Sequence, residues 1–219
     1  MASRLIIIVG AGPGISLATA RRFGSQGFTV GLIARREQTL LNCQDELASV
    51  GVRSLYRVAD CVRETELDAA LQEIQAEAGM PEALLYNAAN IKWKNLLDET
   101  AAGLTADFEV NVAGALTAVR AVLPALRAAN KGTLLFTGSV FGEDPMPAFG
   151  SLSIGKAGLR NLVHSLAKSL HETAIKVHYL CIRGRVTAED PQRSPSIIAE
   201  RCWQLHMGSA APAPIDVVI

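Results

Sequence analysis

The residues of this sequence best equipped for chemistry are Ser139, Lys156 and Asn111, together with the adjacent pair Arg35 and Arg36. A serine hydroxyl can donate a hydrogen bond to an oxygen that gains negative charge. A lysine, Lys156, stands seventeen residues further on, one turn into an apolar-faced helix. Asn111 lies in the run Glu109-Val110-Asn111-Val112-Ala113-Gly114, where an amide between two valines needs a partner. Two neighbouring guanidiniums present planar forks matched to a phosphate, or they simply solvate the start of a helix.

Such groups act only if a scaffold brings them together, and the opening residues indicate which scaffold. Leu5, Ile6, Ile7, Ile8 and Val9 form an apolar, largely β-branched run that breaks into Gly10, Ala11, Gly12, Pro13 and Gly14. A helical pattern follows from Ile15, with Leu17, Ala18, Ala20 and Phe23 on its apolar side. Strand, glycine turn and helix aim free backbone N–H groups and a positive dipole end at a phosphate. The last glycine of the general G-x-G-x-x-G pattern falls on Ile15, so that version fails; Gly10-x-x-x-Gly14-x-Ser16 fits.

The same alternation continues along the chain. Strands are expected near Leu5–Val9, Thr29–Ile33, Ser54–Val58, Ala83–Tyr86, Thr133–Phe136 and Val177–Ile182, with a short last one at Ile215–Val218. Helices are expected near Ile15–Gln26, Glu37–Val50, Thr65–Ala78, Leu104–Ala129, Leu152–Glu172 and Ser196–His206, the fourth kinked at Pro124. This is the pattern of an α/β fold: a doubly wound parallel sheet with helices on both faces, in one domain over residues 1–219. The 49% hydrophobic share suits a sheet buried on both sides.

Composition narrows the function classes. Lys plus Arg and Asp plus Glu are 21 each, so no net field recruits nucleic acid or an anionic membrane. Cys43, Cys61, Cys181 and Cys202 are widely separated and have no zinc-ligand spacing, so no metal site is expected. They read as free thiols of a reducing compartment, the cytoplasm. The apolar run after Arg4 is too short for a signal-peptide core or a membrane span. His164 and His171 read as a surface or interface stripe.

In a doubly wound sheet, ligands sit beyond the carboxyl ends of the strands, so the residues that follow each strand carry the function. After the second strand come Arg35 and Arg36, with no acid to accept from a ribose 2′-hydroxyl; NADP is favoured over NAD. After the third come Asp60 and Cys61, where the carboxylate can accept from an adenine amino group or cap the next helix. After the fourth come Asn87-Ala88-Ala89-Asn90, small enough for a cofactor to lie against the backbone, with Asn87 free to tie strands or touch a ribose. After the fifth come Thr137, Gly138 and Ser139.

In order and spacing, Gly10-x-x-x-Gly14-x-Ser16, Asp60, Asn87-Ala88-Ala89, Asn111, Ser139 and Lys156 resemble the short-chain dehydrogenase/reductase family over essentially the whole chain. The resemblance implies a Rossmann-type fold with a seven-stranded parallel sheet, a nicotinamide cofactor and hydride transfer to or from a carbonyl or alcohol. It implies catalytic roles for Ser139, Lys156 and Asn111, and cofactor contacts at Gly10, Gly12, Pro13, Gly14, Ile15, Arg35, Arg36, Asp60, Cys61, Asn87, Ala88, Ala89 and Lys156. It also implies homodimers or homotetramers through the fourth and fifth long helices.

The departures are equally informative. The family places a tyrosine four residues before the lysine, and here that position is Leu152. Ser16 replaces a glycine, Tyr86 an asparagine and Ala89 a glycine, while Arg183-Gly184 stands for Pro-Gly. The substrate-covering segment after Arg183 is short, and the sequence stops at the presumed seventh strand. No other tyrosine is expected near position 152. Loss of a positioned acid typically costs ~10²–10⁴ in rate, so unassisted ketone reduction should be slow. Three readings follow: an NADP-dependent oxidoreductase acting on an imine or activated alkene, an NADP-binding pseudoenzyme serving as sensor or partner subunit, and a non-redox enzyme built on the same pocket.

Overall fold

The computed structural model describes residues 4–208 and 214–219. Its strands are β1 (Arg4–Val9), β2 (Phe28–Ala34), β3 (Ser54–Val58), β4 (Pro81–Tyr86), β5 (Gly132–Ser139), β6 (Ile175–Ile182) and β7 (Asp216–Val218). All pair in parallel, in the order β3-β2-β1-β4-β5-β6-β7. The order reverses between β1 and β4, which opens a crevice at their carboxyl ends. The helices are α1 (Ile15–Gly24), α2 (Glu37–Ala48), α3 (Glu64–Ala78), α4 (Ala101–Phe108), α5 (Gly114–Ala129), α6 (Gly150–Ser169) and α7 (Pro195–Met207).

Alternate strand side chains feed two cores, one on each face of the sheet. Leu5, Ile7 and Val9 join Leu71, Ile74, Val119, Val122 and Leu159 under α3, α5 and α6. Ile6 and Ile8 join Phe23, Leu40, Ile198 and Trp203 under α1, α2 and α7. The helical run 101–129 is apolar and long enough to cross a membrane by length and composition alone. Val110, Val112, Ala115, Val119, Val122 and Leu126 from that run are buried in the first core, while Phe108 and Leu116 are exposed. All four cysteines are buried and unpaired.

Two expectations need correction. The expected fourth helix is not one helix kinked at Pro124: α5 runs through Pro124, and the irregularity is a π turn at Glu109–Ala113 separating α4 from α5. Within that turn the Tyr86 hydroxyl donates to Val110 O at 2.6 Å. Asn111 faces α6, where a Cβ on Gly155 would lie 2.8 Å from the Asn111 side chain. The expected stripe of His164 and His171 likewise does not run along one helix, because α6 ends at Ser169 and His171 lies beyond it. The His164 Nε2 lies 2.9 Å from Asp216 Oδ2, beside the Arg160 guanidinium, so α6 is tied to β7, while His171 stays exposed.

Candidate active site

The crevice begins where β1 ends. Gly10, at φ +81°, donates with Ala11 to Ile33 O (2.9 and 3.0 Å), which bends the chain across the end of β2. A Cβ on Gly10 would lie 2.4 Å from Ala88 N, so the loop after β4 presses directly on the turn. Gly12 and the exposed Pro13 carry the outer part of the turn. Gly14, at φ +91°, opens α1 without a side-chain cap. Among the described residues the N–H groups of Gly14, Ile15 and Ser16 take no backbone acceptor, and these are the donors a phosphate needs.

Ser16, in the place of a third glycine, has a job of its own. Its hydroxyl donates to Gly10 O (2.9 Å) and accepts from Asn87 Nδ2 (2.8 Å). The Asn87 amide therefore braces the turn rather than standing free. Beside it is a cleft of about 180 Å³ lined by Gly10, Ala11, Arg35, Arg36, Thr39 and Cys61, with Asn87–Ala89 opposite. No acid lines it, and among the described residues neither arginine makes an ion pair. Asp60 lies outside the lining, and its Oδ1 accepts from Val62 N at 3.3 Å. Burial pushes the Cys61 thiol up, so Cys61 lines the cleft as a neutral group.

The other end of the crevice holds Ser139, Lys156 and Asn111. Lys156 is 5% exposed, and its Nζ donates to Thr137 O at 2.7 Å. Burial lowers its pKa to about 8. Ser139 ends β5, and its Oγ accepts from Phe141 N (3.2 Å). Asn111 Nδ2 donates to Asp107 O (2.8 Å), and its buried Oδ1 has no protein partner. Leu152, one turn before Lys156, is buried yet joins neither core.

One tyrosine does reach this region, at the main chain of Ser139 and Lys156 rather than at position 152. The Tyr179 hydroxyl accepts from Ser139 N (3.0 Å) and lies within donor range of Ser139 O (3.2 Å) and Lys156 O (3.3 Å). It is fully buried, and burial pushes its pKa up to about 12. This phenol clamps β5 to α6. It is no substitute for the missing acid. Its ring fits because residue 138 is glycine, where a Cβ would fall 2.1 Å from Tyr179 Cζ.

Three residues outside the sequence reading, Asp107, Lys92 and Ser151, meet with Asn90 beside the start of α6. Asp107, fully buried on α4, accepts from Asn90 Nδ2 (2.8 Å), from the Lys92 ammonium (2.7 Å) and from Ser151 Oγ (2.6 Å). Burial pushes the Asp107 carboxyl up, but these donors outweigh it and hold it below its usual range. One signal was available: Asp107 precedes Asn111 by one helical turn and shares its face. The loop carrying Lys92 is fixed to the segment before α6 by Lys94 N→Ala148 O (2.9 Å) and Leu96 N→Pro147 O (3.0 Å). Beside these contacts Trp93 packs edge-on against Phe149, which stacks on Phe141. On the opposite side Arg193 Nη1 donates to Arg183 O (2.7 Å), which folds the short segment after β6 onto itself.

Comparison with known proteins places this geometry in context. The family model described as short chain dehydrogenase matches residues 4–193. Human 17-beta-hydroxysteroid dehydrogenase 13 is 26% identical over 184 residues, 83% of this chain and 61% of that protein, so the chain spans less than two thirds of that relative. Among solved structures, a metagenomic short-chain oxidoreductase in complex with NADP superimposes with a TM-score of 0.87 at 23% identity, covering 100% of this chain and 97% of that one. A variant of actinorhodin polyketide ketoreductase with NADPH reaches 0.90 at 23% identity, covering 99% and 95%.

Proposed function

The chain belongs to the short chain dehydrogenase family, and from that premise we propose that it is an NADP-dependent oxidoreductase whose substrate is an imine or activated alkene rather than a simple ketone. The crevice fits the cofactor: a glycine turn too tight for a Cβ, three free amides at a helix start, and two arginines without ion pairs in a lining that holds no acid. The NADP and NADPH held by the two structural neighbours support the same reading. When bound, a reduced nicotinamide supplies hydride. The amides of Gly14–Ser16 would hold its pyrophosphate, Arg35 and Arg36 its 2′-phosphate, and Lys156 its nicotinamide ribose. Ser139 offers a hydroxyl to an oxygen or nitrogen that gains charge. Phe108, Leu116 and Ile154 are exposed apolar side chains on α4, α5 and α6, which supports pairing with a second copy through those helices.

Leu152 carries the substrate assignment. It cannot protonate an oxygen, so acceptors that need no phenol are favoured. With NADPH, a cyclic imine or its N-alkylated iminium is expected to oxidise the cofactor at least tenfold faster than a simple ketone, read as loss of nicotinamide absorbance; the reverse ranking defeats the assignment. The same leucine, with the self-bonded segment 183–193, also supports an NADP-binding pseudoenzyme. That reading requires NADPH binding without turnover of any carbonyl, imine or enone, and clear turnover ends it.

Cofactor choice has its own measurement. NADPH at 100 times its dissociation constant should stabilise the fold by about 2.7 kcal/mol, a melting shift of roughly 5–10 °C for a chain of this size. Replacing both Arg35 and Arg36 by alanine should bring the NADPH shift down to that of NADH at the same concentration. An unchanged preference would mean that other groups read the phosphate.

A further inference from the structure

We propose that Lys92 supplies the proton that the absent phenol cannot, and that Asp107 is the residue that positions it. The inference rests on the oxidoreductase reading above and names a residue for the step it leaves open. A fully buried carboxylate costs much unless it is paired, and Asp107 is held by one ammonium and two neutral donors. Its place is the argument. Ser151, which gives Asp107 a hydrogen bond, is the neighbour of Leu152 in the first turn of α6. Asn111, one turn beyond Asp107, packs on Gly155 beside Lys156. Lys92 thus shares the Asp107 carboxylate with Ser151, the neighbour of the position where the acid is missing, while Lys156 donates elsewhere, to Thr137 O.

Lys92 is also free to act. Asp107 is the one carboxylate within ion-pair distance among the described residues, and the lysine side chain is 42% exposed. One hydrogen of the ammonium points at Asp107; the others are available to a substrate or to water. The charged groups around it are Asp107 from α4 and Glu99 and Lys94 from its own loop; the face of α6 contributes the neutral Ser151. Asp107 holds the Lys92 pKa above the usual lysine value, so it is an ammonium throughout the neutral range.

The step balances. Lys92 would give its proton to the nitrogen of a neutral C=N bond, whose carbon would take the hydride that a reduced nicotinamide supplies when bound. The lysine amine is then re-protonated by water. Imine, reduced cofactor and one proton become amine and oxidised cofactor. An N-alkylated iminium needs the hydride alone, which makes it a built-in control.

The experiment compares Lys92→Met and Lys92→Arg with the native protein on a cyclic imine, at a pH where it is the free base, and on its N-methyliminium counterpart. NADPH binding is followed by melting shift. The expected result is a loss in kcat of ~10²–10⁴ on the free-base imine for both variants, within twofold of native on the iminium, with the NADPH shift retained. Lys92→Arg is the decisive variant: it keeps the ion pair with Asp107, and with it the fold, but a guanidinium does not give up its proton at these pH values. Full activity of Lys92→Arg on the free-base imine, or equal losses on both substrates, would overturn the proposal in favour of a purely structural ion pair. If the native protein binds NADPH and turns over neither substrate, the oxidoreductase reading fails and takes the proposal with it. If it turns over only the iminium, the proposal alone fails.

Discussion

Leu152→Tyr is expected to raise the reduction of a simple ketone by about 10²-fold or more, because it returns an acid to a site that keeps its other parts. Leu152 is buried one turn before Lys156 and outside both cores, so a ring there replaces contacts at the edge of the packing rather than within either core. Overpacking typically costs ~1–3 kcal/mol, within the margin of a chain this long. The new phenol would lie near the Lys156 ammonium, which lowers a phenol pKa and makes it a better acid. Ser139, at the end of β5, would share the carbonyl oxygen. The measurement is kcat/KM for a small ketone with NADPH, native against variant. A variant that melts normally and binds NADPH but shows no gain would mean that Ser139 and Lys156 are out of register with position 152.

The second large effect falls on the nucleotide turn. Gly10→Ala should abolish NADPH binding and destabilise the fold by more than ~3 kcal/mol, because steric clash and backbone strain act together. Its Cβ would sit 2.4 Å from Ala88 N and 2.8 Å from Asn87 C, main-chain atoms that cannot swing aside. Gly14→Ala is the control. Gly14 has a comparable φ, +91° against +81°, but a Cβ there meets nothing within 4 Å. It should carry the strain alone, ~1–2 kcal/mol, and remain folded. Urea midpoints of the two variants separate the cases, and equal stability would refute the close contact between the turn and the loop after β4.

What could be read in advance was local. Strand and helix alternation, the glycine turn and the arginines after β2 are written in adjacent residues, so period and composition reveal them. Other features depend on parts of the chain that meet only on folding. The π turn at Asn111 answers Gly155 on another helix, so the 3.6-residue period gave no warning of it. Tyr179 reads as core in a strand pattern, because its two carbonyl partners belong to β5 and α6. Ser16 looked like a defect in a glycine motif until its bonds to Gly10 and Asn87 showed it to be a brace. Lys92 lies in a loop without periodicity, and its partner Asp107 belongs to a different element, α4.

The bonds Lys94 N→Ala148 O and Leu96 N→Pro147 O join the two loops that leave β4 and β5, on the far side of the crevice from the glycine turn. Because they hold each other, the outer parts of the two loops form one unit, while Asn87 and Ala88 at the inner end of the first loop press on the glycine turn. An engineer could exchange those outer parts as one cassette, altering which compounds enter, provided that Asn87 and Ala88 stay in place.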